Sequence, residues 1–198
     1  MERLTGALLR VCLGLVPILG ILWIFKVSDF MGLAFTFQQV VAVLLGLAMA
    51  AAFLKYPYMA RAGWFEIVLA IASLATWSWM SWSFEDWIVG MADRTLDKWV
   101  PGVFAILLML EALRKGCGKV IGILVWTAIL YAFFGNHLPG VLEAEVFPPT
   151  KTVLYLYADN NGIPGLVLRV VTELVLAFII LGKLMEVTGA TRFFTDIA

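Results

Sequence analysis

The chain has 198 residues, of which 63% are hydrophobic and only 14% are charged. Soluble domains average about half apolar and about a quarter charged residues, so the composition excludes an ordinary soluble domain and indicates an integral membrane protein. The formal net charge is zero, which gives no reason to expect nucleic acid as a partner. The two cysteines, Cys12 and Cys117, lie far apart and have neither metal-ligand nor disulfide spacing.

Six apolar segments are candidates for membrane crossings. A bilayer core about 30 Å thick needs roughly 20 apolar residues in a helix. Hydrocarbon offers no hydrogen-bond partner to unpaired backbone N–H and C=O groups, so the crossings must be helical. The sequence therefore predicts an all-α integral membrane protein with about six transmembrane helices, near 7–25, 37–55, 64–83, 100–114, 119–136 and 165–186. The first is interpreted as a retained span rather than a signal peptide. The fourth is short, but Trp99 and Arg114 can anchor its ends.

Lysine and arginine in the short loops predict the orientation of these spans. One set of loops and ends is basic and holds Arg3, Arg10, Lys55, Arg61, Arg114, Lys115, Lys119, Lys183 and Arg192. The alternate loops are acidic or mixed, and the first of them holds Lys26 with Asp29. We therefore expect both termini in the cytoplasm. An interfacial aromatic belt is expected around the most acidic loop, where five tryptophans gather: Trp77, Trp79, Trp82, Trp87 and Trp99.

The loops divide the chain into three regions. Residues 1–115 hold four spans joined by short loops and are predicted to form an antiparallel four-helix block. Residues 116–140 form a connecting span that ends in "FFGNHLPG". Residues 141–198 are predicted to be an external loop, with three of the seven prolines and the turn-forming "DNNG", followed by the last span. A short helix on the outer surface is predicted for "WIVGMADRTLDKW", between the third and fourth spans.

Ionisable residues inside a predicted span are the strongest candidates for function, because each costs about 2.5–3.5 kcal/mol at mid-membrane. Glu173 lies about 12 Å inside the last span, at about 1.5 Å per residue. Arg169 is four residues earlier on the same helix face and can pair with it. The pair is either a substrate, ion or proton site, or a structural contact that holds this helix to another. The sequence leaves both interpretations open.

Other polar residues have structural interpretations. Ion-pair spacing near helix ends occurs in two places, in Glu111 with Arg114 and Lys115 and in Lys183 with Glu186. Glu66 is predicted at the membrane interface, Gln38 and Gln39 in helix contacts, and the lone His137 as a polar cap. The sequence contains no catalytic set, phosphate-binding loop or metal-ligand pattern, so neither an enzyme nor a bound cofactor is predicted.

Residues 100–140 resemble a stretch of the fused permeases of tripartite ATP-independent periplasmic (TRAP) transporters, in the branch that uses TAXI-type binding proteins. The matching pieces are "LEALRK", "LYAFFG" and "LPG". The likeness continues through residues 154–198 in "LYLY", "NGIPG", "FIILGKLMEVTGA" and "FFTDIA". These segments cover about the second half of the chain, and the first half is similar only in the number and character of its spans.

The resemblance implies that a small four-helix unit, residues 1–115, scaffolds a large transport unit. Residues 116–140 would be the connecting helix, and the last span would be the first helix of a large unit whose other helices are not in this sequence. The resemblance also implies an inner-membrane location, sodium-coupled import of small solutes such as organic acids, and delivery by a periplasmic binding protein. The family has small or apolar residues at the positions of Arg169 and Glu173, so it assigns no site to either.

A second hypothesis is a free-standing membrane scaffold or assembly protein without transport activity. The two hypotheses differ in the partner that they require. A transporter needs the remaining helices of the large unit, whereas a free-standing scaffold does not.

Overall fold

The computed structural model describes residues 2–58, 63–90, 93, 95–140, 143–145 and 147–190. These residues form helices and turns and no strand, which confirms the predicted all-helical class. In chain order the helices are α1 (Glu2–Ile24), α2 (Val27–Phe30), α3 (Phe37–Lys55), α4 (Trp64–Val89), α5 (Leu96–Cys117), α6 (Lys119–Phe134), α7 (Pro149–Ala158), α8 (Leu166–Val170) and α9 (Leu176–Val187). A 3₁₀ turn, Gly135–His137, follows α6, and a π-helical turn, Val171–Val175, joins α8 to α9.

Four helical segments are long and apolar enough to cross a membrane, which is compatible with a membrane location. They match the first, second, third and fifth predicted spans and are Arg3–Ile24, Phe37–Lys55, Trp64–Val89 and Lys119–His137. The predicted crossings at 100–114 and 165–186 lie on α5 and on the run formed by α8, the π turn and α9, here called the last helical run. These two crossings stay predictions. Arg61, Arg192 and the "FFTDIA" segment lie outside the described residues.

Local hydrogen bonds explain where two of the long helices begin. The side-chain oxygen of Gln39 accepts the backbone N–H of Thr36 at 2.8 Å, which is one half of a capping box at the start of α3. At the start of α4, the Glu66 carboxylate accepts the N–H of Gly63 at 2.8 Å and that of Tyr58 at 2.9 Å. Glu66 is buried, and the two amide donors hold its carboxylate inside the protein, while its predicted level at the membrane interface stays a prediction.

The main core lies between α3, α4, α5 and α7. Among its fully buried side chains are Phe53 of α3, Trp77 and Met80 of α4, and Tyr157 of α7. The ring centroid of Tyr157 lies 5.3 Å from that of Trp77, and its hydroxyl donates to the carbonyl of Thr76. Because buried aromatic side chains dominate core energetics, this contact fixes α7 to the helices around it.

α7 lies in a region for which the sequence predicted an external loop. Pro149 occupies its first turn. Backbone N–H groups there have no partner within the helix, so a proline, which lacks this group, costs no hydrogen bond. Val153 and Tyr157, four residues apart on one face, are buried. The helix meets α5 at Gly102, where an added Cβ would lie 2.9 Å from Val153. The segment predicted as an external loop therefore contains a helix whose apolar face packs against α5, and its side of the membrane stays a prediction.

The connection between α4 and α5 also differs from prediction. α4 continues to Val89 and α5 begins at Leu96, so most of "WIVGMADRTLDKW" extends these two long helices. The described residues of this segment form no separate surface helix. The ammonium of Lys98 donates to the carbonyl of Gly90 at 2.6 Å and ties the two helix ends together.

The predicted aromatic belt divides between core and surface. Trp77 and Trp87 are only 0% and 3% exposed and belong to the main core. Trp79 and Trp82 are 48% and 86% exposed. The belt prediction is therefore wrong for the two buried tryptophans, whose spacing along α4 turns them toward Tyr157.

The last helical run packs against α1 and leaves much of its apolar surface open. A Cβ added at Gly20 of α1 would clash with the end of the Leu176 side chain, so that side chain would have to move. Thr172 is the buried residue of the run, and α9 buries none. Large side chains such as Phe178 and Ile179 stay exposed. Such a surface is suited to lipid or to further membrane helices.

Candidate functional site

Arg169 and Glu173 form the ion pair that their spacing predicts. The Nε atom of Arg169 lies 3.2 Å from Oε1 of Glu173, one turn along the last helical run. The guanidinium carbon of Arg169 also lies 5.3 Å from the ring centroid of Phe37, the first residue of α3. The side chains of the pair are 53% and 36% exposed. The pair is therefore not enclosed in a core but lines a cavity.

Glu173 is the middle residue of the π-helical turn Val171–Val175. A π turn closes i→i+5 hydrogen bonds, and such turns are rare in α-helices and frequent at functional sites. The turn places an extra residue in one turn of helix, so the side chains after it are rotated relative to a regular helix. Glu173 therefore lies at the point where the last helical run departs from regular α-helical geometry.

The cavity beside the pair has a volume of about 540 Å³, which lies in the range of about 300–1,000 Å³ typical of small-ligand sites. Its charged lining consists of Arg169 and Glu173 together with Lys26 and Asp29, which follow the end of α1. Its aromatic lining consists of Trp23, Phe35 and Phe37. We refer to this space as the charged cavity.

Lys26 has an unusual backbone conformation at the edge of the charged cavity. Its φ of 49° is left-handed, and it is the one non-glycine residue with positive φ among those described. The N–H of Asp29 donates to the carbonyl of Lys26 at 3.0 Å and holds the turn. A left-handed non-glycine residue costs on the order of 1–3 kcal/mol and tends to occur at functional sites. This strain supports the cavity as the candidate site.

The charges of the cavity are balanced. Two cations, Lys26 and Arg169, and two anions, Asp29 and Glu173, line the same space. The Lys26 ammonium forms no ion pair with any residue that the structure describes, whereas Arg169 pairs with Glu173. An arrangement with donors and acceptors of both signs can bind a group that carries both charges.

The sequence identified the pair but not its neighbours. Lys26 and Asp29 entered the sequence argument only as loop charges that set the orientation. They line the same cavity as Glu173 because α1 and the last helical run pack side by side. The sequence predicted Glu173 about 12 Å inside the last span. Lys26 and Asp29, which line the cavity with it, instead follow the end of the first span. A base directly after a span, with an acid three residues later, is the signal that could have pointed to this turn.

A second polar cluster ties the loop after α3 to the end of α5. Arg114 lies 2.5 Å from Oε1 of Glu111, and the hydroxyl of Tyr58 donates to the same carboxylate. Burial, and then the Glu111 carboxylate, raise the pKa of Tyr58 to about 12. Lys115 donates to the carbonyl of Tyr56 at 2.8 Å, and its ammonium lies 3.3 Å from the ring centroid of Tyr58. These residues hold the loop after α3 against the end of α5 and do not line the charged cavity.

The remaining polar candidates stand apart from the charged cavity. Lys183 and Glu186 pair at 2.9 Å on the exposed surface of α9. The amide of Gln38 donates to the side-chain oxygen of Asn160 and joins α3 to the turn before α8. The ring of His137 contacts the side-chain oxygen of the preceding residue at 2.9 Å and is exposed.

The described residues contain no group of three or more His, Cys, Asp or Glu side chains that could hold a metal ion. Cys12 is a buried free thiol and Cys117 an exposed one. Comparisons of the chain with protein-family models, curated proteins and solved structures found no match. The charged cavity is therefore the candidate site, and its role is argued from its own residues.

Proposed function

We propose that the chain is a membrane component of a TRAP-type secondary transporter that imports small solutes, with organic acids as the expected class. In this proposal α1 to α5 belong to the scaffold, α6 is the connecting helix, and the last helical run begins the transport unit. Further membrane helices and a periplasmic TAXI-type binding protein complete the transporter. The protein lies in the inner membrane with both ends in the cytoplasm.

The observation that carries this proposal is the contrast between a closed core and two open helices. Trp77 and Tyr157 are fully buried in the contact of α3, α4, α5 and α7. By comparison, α6 buries only Gly122, and α9 buries no residue. A rigid bundle that presents two open apolar helices is suited to hold a second, larger membrane unit.

Two of the segments that resemble TRAP permeases lie near the joints between these parts. The segment "LEALRK" ends α5 and contains the Glu111–Arg114 ion pair. The segment "NGIPG" forms the turn before α8, where the N–H of Ile163 donates to a carbonyl of α7 at 2.8 Å. Gly162 and Gly165 of this turn face backbone carbonyls so closely that no Cβ fits. The residue types of this motif are therefore required by a tight turn.

Sodium coupling and solute choice enter the proposal through the resemblance alone. The resemblance places the ion and solute sites in the remaining helices of the large unit, so this chain is assigned none. The charged cavity lies between α1 and the last helical run. In the proposal, this is the boundary between the fixed scaffold and the part attached to the moving unit.

Uptake into proteoliposomes tests the proposal. The chain is purified with its membrane partner, reconstituted, and supplied with the binding protein, an inward sodium gradient, and radiolabelled succinate, malate or glutamate. We expect uptake of at least one acid that requires both the gradient and the binding protein. An intact complex that gives no sodium-dependent uptake would instead favour a membrane scaffold without transport activity.

A further inference from the structure

A second cavity adjoins the charged cavity and shares part of its wall. It has a volume of about 350 Å³, and nine of its twelve lining residues are apolar. Trp23 and Phe35 line both spaces. Met31 and Leu33, which line only the second, are 71% and 49% exposed, so it opens to the surroundings. We refer to it as the apolar cavity.

The two cavities lie at the same end of α1. Both are lined by residues around the end of α1 at Ile24. The segment Arg3–Ile24 is long and apolar enough to cross a membrane. In a bilayer, the end of such a helix lies at the edge of the hydrocarbon layer. A charged space and an apolar space at that level match a headgroup and the first part of an acyl chain.

We propose that the two cavities together bind one zwitterionic phospholipid. Lys26 and Arg169 bind its phosphate, since guanidinium and ammonium groups form strong charge-assisted hydrogen bonds to phosphate oxygens. Asp29 and Glu173 bind its ammonium group. One acyl chain enters the apolar cavity past Trp23.

Charge complementarity selects this occupant. The four charged side chains sum to zero, so an anionic headgroup would meet two carboxylates without a cation of its own. The Lys26 ammonium has no ionic partner among the described residues and is available to the phosphate. A soluble zwitterion would fill only the charged cavity and would make no contact with the apolar lining of the second one. The inference requires helices in a bilayer and does not depend on transport.

Native mass spectrometry of the purified, delipidated protein tests this inference. The probes are phosphatidylethanolamine and phosphatidylglycerol with the same acyl chains, and soluble phosphoethanolamine as a competitor. We expect one phosphatidylethanolamine per chain, bound about tenfold more tightly than phosphatidylglycerol, as expected for one charge-assisted hydrogen bond. Phosphoethanolamine should not displace it. Equal binding of the two lipids, or displacement by the soluble headgroup, would overturn the proposal.

Two variants separate the headgroup from the acyl chain. Lys26→Asn removes the ammonium but tolerates the left-handed backbone, and it should weaken phosphatidylethanolamine binding about tenfold. Its control is Lys183→Asn, which changes an exposed lysine outside both cavities. Leu22→Trp fills the apolar cavity and should weaken both lipids, whereas Leu13→Trp on an exposed part of the same helix should not. Wild-type binding by Lys26→Asn would overturn the headgroup contact even if Leu22→Trp fails to fold.

Discussion

Arg169 and Glu173 are held together by one 3.2 Å contact in a place where neither is fully buried. Removal of one partner leaves the other charge beside the apolar surface of α1 and α3. Removal of both leaves a cavity lined by Lys26 and Asp29, whose charges still balance. The consequences of single and double substitutions should therefore differ, because an uncompensated charge is worse than no charge at all.

Glu173→Gln should destabilise the protein more than Arg169→Leu combined with Glu173→Leu. For a partly exposed pair we expect a loss of about 1–2 kcal/mol for the single change, or about 2–8 °C in Tm for a protein of this size. Thermal denaturation in detergent measures it. Glu186→Gln, in the exposed pair with Lys183, is the control and should change Tm little. A double variant no more stable than Glu173→Gln would contradict the pairing.

Tyr157 should be the most sensitive position of α7. Its ring is fully buried beside Trp77, and its hydroxyl donates to the carbonyl of Thr76. Tyr157→Ala should cost about 3–5 kcal/mol, as for other large-to-small changes in cores. Tyr157→Phe should cost about 1 kcal/mol, the net value of one hydrogen bond. Chemical denaturation measures both.

Tyr155→Ala is the matched control for this prediction. Tyr155 lies on the same helix but is 47% exposed, so its loss should cost less than about 1 kcal/mol. Equal losses at the two tyrosines would mean that α7 is not docked as described.

Residue spacing predicted local contacts and missed distant ones. The pairing of Arg169 with Glu173 follows from four-residue spacing on a helix. The presence of Lys26 and Glu173 in one cavity does not, because it depends on how two helices far apart in sequence pack. The burial of Glu66 was missed for a related reason: its position in the sequence does not show that the backbone N–H groups of Tyr58 and Gly63 satisfy its carboxylate.

At the scale of helices, the sequence predicted long apolar segments well and short ones poorly. α3 has the predicted bounds, 37–55, because a polar start with Thr36 and Gln39 and a basic end limit an unbroken apolar run. α7 was missed because its 10 residues are too few to cross a membrane and two prolines precede its apolar face. The π turn leaves no distinct pattern in the residues Val171–Val175.

Gly102→Leu should separate α7 from α5. A Cβ at this position would lie 2.9 Å from Val153 and 3.1 Å from Tyr157, so a larger side chain must displace α7. Overpacking of this kind costs about 1–3 kcal/mol. We expect faster cleavage near α7 by a protease, followed by mass spectrometry of the fragments.

Gly116→Leu is the matched control on the same helix. No atom lies within 4 Å of a Cβ built there, so the substitution meets open space. It should leave the protease pattern unchanged. Unchanged cleavage in Gly102→Leu as well would show that close packing at that glycine does not hold α7.

At the scale of the whole molecule, composition and basic loops predict a membrane protein with cytoplasmic ends. The structure agrees on four helices of sufficient length and apolar character. The orientation of the helices depends on how the loop charges interact with a bilayer. Contacts within the chain therefore do not show which end faces the cytoplasm. The exposed Cys117, the last residue of α5, offers a direct probe of orientation.

Cys117 should react with a membrane-impermeant maleimide in inside-out vesicles but not in right-side-out vesicles. It follows the basic residues Arg114 and Lys115, which the positive-inside rule places in the cytoplasm. A Glu143→Cys, Cys117→Ser variant should show the reverse pattern, because residue 143 follows the opposite end of α6 and is predicted on the opposite side of the membrane. The buried Cys12 should react slowly in both preparations. Labelling of Cys117 from the outside would contradict the orientation.

The central claim is that this chain works as part of a larger membrane transporter, and its state in its own membrane tests that claim most directly. The protein is extracted in a mild detergent, and the intact mass and composition of the complex are measured. We expect the chain to be joined to, or stably bound with, several further membrane helices, so that the mass exceeds 21.9 kDa. A species of 21.9 kDa that is stable and monodisperse without any membrane partner would contradict the account.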